Sequence, residues 1–206
     1  MTKIDIENRY LQEEEVRKDT KPYKAFFNML NQTFDLTKIK SFCDVGCATG
    51  HLMWEMKNNN SNIELCGYEF FEYHKDAAKE EVKNFINIVD LRDELEINKK
   101  YDLVVCTEVG EHIDKNFTET FLKNLKNLTG DFLVMSWSDT GGEFDLKKDP
   151  HHQHLNPLKH KDFITMMKNN GFLHLEQETK KLLKASYQPN FYHWWRKSLT
   201  IWKVQK

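Results

Sequence analysis

Glu108, Glu111 and His112 stand within five residues of one another, directly after an apolar run from Tyr101 to Cys106. If the chain turns as a helix there, positions 108, 111 and 112 share a face. Two carboxylates and an imidazole gathered in this way can bind a divalent cation. They can equally orient a substrate hydroxyl and take its proton. Glu108 has a third use, contact with a cofactor alone. More imidazoles come from the loop Ser138 to Pro157, which carries His151, His152 and His154 ahead of Asn156. His154 and Asn156 are the candidates to join the first group. The plain alternative is a surface loop rich in histidine, and it suits His151 and His152 best.

A second constellation begins at Asp44-Val45-Gly46-Cys47-Ala48-Thr49-Gly50, a glycine loop after an apolar run. Glycines let the backbone turn sharply and approach a ligand closely. A dinucleotide loop aims backbone amides at a pyrophosphate, which the carboxylate of Asp44 would repel. That acid suits a ligand carrying an ammonium and a sulfonium. Glu69 closes the next apolar run, where a carboxylate can accept both hydroxyls of a ribose. Asp90 closes the third, where an adenine edge can be read. Any one of these acids is as readily a cap or a solvent-facing group. Three at successive strand ends, beside a glycine loop, point to one ligand.

The elements that must position these residues follow from periodicity. Thr20 can cap a helix with Pro22 in its first turn. Tyr23, Phe26, Phe27, Leu30 and Phe34 then form one helical face. Strands are expected over Ile39–Val45, Ile63–Tyr68, Phe85–Val89, Tyr101–Cys106 and Phe132–Met135, with helices at His51–Lys57 and up to about Lys79–Val82. Phe117, Phe121, Leu122, Leu125 and Leu128 mark a helix stopped by Gly130. A further helix carries Phe163, Ile164, Met166 and Met167 and ends at Asn170-Gly171, before two antiparallel strands, Phe172–Glu176 and Leu199–Val204. Strands alternating with helices imply right-handed βαβ units, with ligands outside the carboxyl ends of the strands. The expected fold is α/β and Rossmann-like: a doubly wound, mostly parallel seven-stranded sheet with an antiparallel last strand and helices on both faces. Residues 1–36, including a charged arm at Asp5–Lys18, form an N-terminal cover on a domain spanning 37–206. Phe191 to Arg196 is an aromatic cluster, either a stacking wall for a substrate or a plug under the last hairpin. Trp137 and Ser138 are placed to reach the pocket rim, and Lys147-Lys148 and Lys180-Lys181 read as solvated faces.

Composition narrows the classes. The 206 residues suffice for one domain with a real core, and 14 Phe, 5 Trp and 7 Tyr exclude a disordered polymer. No apolar run reaches the ~18 residues of a membrane span. The charged start lacks the apolar core of a secretory signal, so a cytoplasmic protein is expected. A net charge of −2 with only four arginines gives no strong signature of duplex nucleic-acid binding. Cys43, Cys66 and Cys106 lie in apolar runs, Cys47 lies in the glycine loop, and no C-x-x-C pair exists. Reduced thiols used as core fillers are expected.

The glycine loop, Gly67-Tyr68-Glu69, Val89-Asp90-Leu91 and the segment Tyr101 to Ile113 together resemble the class I S-adenosylmethionine-dependent methyltransferases over about 39–171. The resemblance implies that the loop (Asp44, Gly46, Cys47, Ala48, Gly50) holds the methionine part of S-adenosyl-L-methionine. It implies that Glu69 and Phe70 meet the ribose side, that Asp90 and Leu91 flank adenine, and that Glu108 lies near the methyl. Many members have glycine where this chain has Ala48. The Glu-x-x-Glu-His segment is similar to those of ubiquinone-type O-methyltransferases and small-RNA terminal 2′-O-methyltransferases. Some of these bind a metal through the acids and histidine with a later histidine, here Glu108, Glu111, His112 and His154. The implied reaction is in-line methyl transfer to a hydroxyl of a small molecule, a sugar or an RNA end. His112 or His154 serves as base and Glu111 as its orienter. The alternatives are an NAD-type oxidoreductase, which Asp44 opposes, and a non-catalytic S-adenosylmethionine-binding partner subunit.

Overall fold

The computed structural model describes residues 20–139, 154–187, 189–191 and 198–205. The arm at Asp5–Lys18, His151 and His152, Lys147-Lys148, and Tyr192 to Arg196 lie outside the described residues. Helix α1 (Lys21–Thr33) comes first, then β1 (Ser41–Val45), α2 (His51–Asn59) and β2 (Glu64–Glu69). Two short helices, α3 (Glu72–Asp76) and α4 (Glu80–Lys83), lead to β3 (Ile86–Ile88) and β4 (Tyr101–Cys106). After 3₁₀ turns at Gly110–His112 and Lys115–Phe117 follow α5 (Thr118–Leu128), β5 (Thr129–Met135), α6 (His160–Asn169), β6 (Phe172–His174), α7 (Glu176–Ala185) and β7 (Thr200–Val204).

The seven strands form one sheet in the order β3-β2-β1-β4-β5-β7-β6. Strands β1 to β5 pair in parallel, and β7 runs antiparallel to both β5 and β6. This is the expected Rossmann-like sheet. Strand β1 is buried along its whole length, as a central parallel strand covered on both faces must be. Its side chains alternate between two apolar layers. Phe42 joins Phe26, Leu30, Met53 and Leu182 on the side of α1, α2 and α7. Cys43 and Val45 join Phe121, Leu125, Phe163 and Trp137 on the side of α5 and α6. All four cysteines are free and buried. Of the aromatic cluster near the C-terminus, Phe191 is described, and it is a core plug whose ring meets Phe26 edge-on at 5.6 Å.

Several boundaries differ from expectation for identifiable reasons. Thr20 occupies the cap position of α1 without a side-chain capping bond. Helix α5 is not stopped by Gly130. It ends at Leu128, where Thr129 takes extended backbone and its Oγ1 donates to the Leu125 carbonyl at 2.7 Å. Gly130 already belongs to β5, and a Cβ there would stand 2.9 Å from the Tyr101 carbonyl oxygen. The strand expected at Phe172–Glu176 stops at His174, and Glu176 opens α7. Lys181 of α7, though exposed, donates to the Thr33 carbonyl at 2.7 Å and so ties α7 to the end of α1. Among the described residues no helix is long and apolar enough to cross a membrane.

Candidate active site

Strands β1 and β2 pair with Asp44 opposite Gly67 and Val45 opposite Tyr68, so both chains leave the sheet together. Gly46 and Cys47 then donate their amides to the Tyr68 carbonyl at 2.8 and 3.1 Å, which draws the loop across the end of β2. Gly46 needs φ +75°, and a Cβ on it would stand 2.3 Å from Cγ2 of Val109. Gly46→Ala therefore adds left-handed strain to a clash. It is expected to cost about 1–3 kcal/mol, read as a fall in the urea midpoint at unchanged m-value. Ala48 also takes a left-handed φ of +46°, so its departure from glycine costs backbone strain more than loop width.

Glu69, buried at the end of β2, organises this loop. Its Oε2 accepts the Ala48 amide at 2.8 Å, and its Oε1 accepts the amides of Phe70 at 2.8 Å and Phe71 at 3.0 Å. His74 Nδ1 lies 3.2 Å from Oε1. Burial pushes its pKa up, but His74 and the amide donors outweigh it and hold the carboxyl below its ordinary range. Asp44 goes the other way. Burial, reinforced by the charge of Glu69, raises it to about 7. At the end of β3, Asp90 is half-buried; its Oδ1 accepts the Arg92 amide at 2.9 Å, and its carboxylate holds the Arg92 guanidinium in a fork. The Arg92 guanidinium also lies over the rings of Phe70 and Phe117.

The other half of the site follows β4. Glu108 adopts a left-handed φ of +57°, a strained state for a non-glycine residue. Ser136, at the end of β5, fixes it twice: Oγ accepts the Glu108 amide at 2.9 Å and donates to Oε1 at 2.7 Å. Glu111 follows in the 3₁₀ turn and is fully buried. No donor reaches either carboxylate oxygen in good hydrogen-bond geometry, although the Glu111 and Ser138 amides lie near enough to favour its ionised form. Burial first, and then the neighbouring charge of Glu108, pushes Glu111 well above the carboxylate range, and burial raises Glu108 as well. His112 and His154 meet edge to face, with centroids 4.9 Å apart. One ligand atom from each of Glu111, His112 and His154 falls within 4.8 Å of the others. Glu108 stands beside this group rather than within it.

His154 is brought there by Asn156. The Asn156 amide donates to the Glu111 carbonyl at 2.9 Å, and its Nδ2 donates to Thr118 Oγ1 at 2.9 Å. Trp137 Nε1 donates to the Asn156 carbonyl at 2.7 Å. Trp137 is not at the rim, as its position after β5 suggested. It is buried against the backbone of Gly110, where a Cβ would come within 2.3 Å of its ring.

With this geometry in hand, comparison with known proteins bears on the middle of the chain. Residues 43–131 match a family model described as a methyltransferase domain. No curated protein matches the sequence. The solved structures it resembles share the fold at low identity. A S-adenosylmethionine-dependent methyltransferase from Clostridium acetobutylicum is 12% identical with a TM-score of 0.63, over 96% of this chain and 97% of that one. Magnesium protoporphyrin IX methyltransferase from Synechocystis, crystallised with S-adenosylhomocysteine, is 18% identical with a TM-score of 0.60, over 91% and 83%. The methyltransferase domain of bacterial CtHen1-C is 17% identical with a TM-score of 0.56, over 87% and 100%.

In this sheet the carboxyl ends of β1, β2 and β3 carry Asp44, Gly46, Cys47, Ala48, Gly50, Glu69, Phe70, Asp90 and Leu91. Those of β4 and β5 gather Glu108, Glu111 and His112, with His154 arriving from the later loop. Two residues outside that set support it, and sequence reasoning passed over the first of them. Ser136 holds Glu108, and its only signal was its place at the end of β5. Trp137, taken for a rim residue, supports Gly110 and Asn156 from below.

Proposed function

We propose that this chain is an S-adenosylmethionine-dependent methyltransferase that acts on a hydroxyl of a small molecule, a sugar or an RNA end. The observation that carries the cofactor reading is the set of three carboxylates at the carboxyl ends of β1, β2 and β3, two of which, Asp44 and Glu69, flank the glycine loop. Asp44 meets the ligand's ammonium. Glu69, fixed by the amides of Ala48, Phe70 and Phe71, meets the ribose, and Asp90 with Leu91 meets the adenine. S-adenosylmethionine supplies a methyl already activated on a sulfonium, so alignment and exclusion of water are the protein's main tasks. Residues 1–36 are read as a cover on the domain 37–206.

The acceptor side rests on Glu111. A fully buried carboxylate met by no donor in good geometry is costly unless something else meets it. The nearby imidazoles of His112 and His154 complete a donor set of oxygen and nitrogen that suits a divalent cation. Glu111, His112 and His154 would hold it, with Glu108 alongside, and it would make an acceptor hydroxyl more acidic. Without a cation, His112 or His154 is placed to take that proton, and Glu111 to orient the imidazole.

Calorimetric titration tests the first half: S-adenosylhomocysteine binds and NAD does not. Labelled methyl transfer over pools of small-molecule, sugar and RNA acceptors, with and without a strong chelator, tests the second. Activity unchanged by the chelator removes the cation and leaves the histidines as bases. Binding of the cofactor with no transfer to any pool points to the non-catalytic partner subunit.

A further inference from the structure

Strands β1 and β2 set Cys43 directly opposite Cys66. Partners in register on neighbouring strands send their side chains to the same face, with the strands about 4.8 Å apart. That spacing lies inside the Cα separation of about 4.4–6.8 Å over which two cysteines can be joined. Both thiols are free, and both belong to the apolar layer that contains Phe121 and Leu125 of α5. Their surroundings differ. Cys43, on a central strand, is fully buried. Cys66 lies one strand from the β3 edge of the sheet and keeps 6% exposure. Asn87, an exposed residue of that edge strand, donates from Nδ2 to Cys66 Sγ at 3.4 Å, and the same nitrogen lies 3.2 and 3.3 Å from the Gly67 and Phe85 carbonyls. The Cys43 thiol foremost, then the Tyr101 and Tyr68 hydroxyls and the Asn87 amide, outweigh burial and hold Cys66 below the ordinary thiol range. Burial pushes Cys43 well above it. A cysteine that only fills a core needs no donors around its sulfur. Cys66 has four, and its neighbour across the strand is a second thiol.

We propose that Cys66 and Cys43 are a modification site for peroxides, a dithiol that closes to a disulfide between β1 and β2 and thereby loosens the glycine loop. The Cys66 thiolate attacks one oxygen of hydrogen peroxide. The O–O bond breaks, a sulfenic acid forms on Cys66 and hydroxide leaves. The Cys43 sulfur then attacks the Cys66 sulfur. The S–S bond forms, the S–O bond breaks, and the Cys43 proton departs with the hydroxyl as water. Two electrons pass from the pair of sulfurs to the peroxide. Partners on parallel strands point their Cβ atoms alongside rather than at one another, so closing the bond has to shift or tilt the strands. Just beyond the pair lie Gly46 and Tyr68, whose amide-to-carbonyl bond at 2.8 Å seats the loop on the end of β2. The disulfide therefore acts on the loop at its root.

The test treats the reduced full chain with hydrogen peroxide, alkylates the remaining thiols after denaturation, and maps the peptides by mass spectrometry. The expected product is a Cys43–Cys66 linked peptide that dithiothreitol releases, with Cys47 and Cys106 alkylated. In Cys43→Ala, which lacks the resolving thiol, dimedone present with the peroxide is expected to label Cys66 at least about tenfold more than any other cysteine. If that variant does not fold, the wild-type pairing alone decides. Absence of the linked peptide overturns the proposal. So does loss of all four thiols at one common rate, since peroxide then reaches them only through unfolding. Calorimetry with S-adenosylhomocysteine reads the effect on the loop, which rests on the reading of the carboxyl ends of β1 to β3 as a cofactor site. The oxidised chain is expected to bind about tenfold or more weakly than the reduced one, with recovery in dithiothreitol and no peroxide effect in Cys66→Ala. Equal affinity in the two forms overturns the action on the loop. A reduced chain that binds no S-adenosylhomocysteine removes the cofactor reading and the action on the loop together, and the peroxide site then stands or falls by the peptide map.

Discussion

Glu111→Gln is expected to lower methyl transfer by about 10³-fold, in whichever acceptor pool reports activity, while S-adenosylhomocysteine affinity stays within about twofold. The side chain keeps its volume in a fully buried site, so packing is unchanged, and only the capacity to carry negative charge is removed. The same substitution is expected to stabilise the unliganded protein at pH 8. Burial and Glu108 raise the Glu111 carboxyl well above its ordinary value. Its contribution to stability is therefore full at acid pH and lost as pH rises. A neutral amide escapes that loss. Loss of activity together with a higher melting temperature cannot come from damage to the fold. Calorimetric titration with Mn²⁺ adds a reading independent of turnover: heat in the wild type and none in Glu111→Gln supports the cation. Transfer within threefold of wild type would take Glu111 out of the chemistry.

The two halves of this site differed in how readily they could be read from sequence. The glycine loop and its acids were legible because a parallel sheet puts ligands at the carboxyl ends of strands, and strands betray themselves as apolar runs such as Leu103–Cys106. The approach of His154 to His112 was open from sequence alone, because no local pattern says where a loop lands. Asn156, through its bonds to Glu111 and Thr118, decides it. Helix α7 escaped notice because only Thr179, Leu182 and Ala185 of its ten residues are buried, too thin an apolar stripe to stand out among lysines and glutamates. Gly130 misled because glycine after an apolar helical face ordinarily ends a helix, whereas here it admits the backbone of Tyr101. Ser136 was silent for a different reason. A polar residue in a buried position declares its partners only once the strands and helices that bring them are in place.

The affinity for S-adenosylhomocysteine is expected to rise about 30-fold between pH 5.5 and pH 8, with a slope of about one log unit per pH unit below 7 and a plateau above it. The reason is Asp44. Complete burial, with Glu69 charged nearby, raises its carboxyl to about 7, so below that pH the free protein holds a proton there. A folded-state pKa above the ordinary value means that Asp44 supports the unliganded fold below about pH 4 and withdraws that support as pH climbs through 7. An ammonium group arriving beside it reverses the balance, because it favours the ionised form and expels the proton. Binding is then linked to loss of one proton, and that linkage is the slope. Glu69 adds nothing in this window, since His74 and the loop amides keep it ionised despite its burial. Asp44→Asn is expected to flatten the profile and to weaken binding at pH 8 by about tenfold or more, because a buried ammonium loses its charged partner. A slope that survives in Asp44→Asn belongs to some other group, and the ammonium of the ligand would then have to be met elsewhere in the loop.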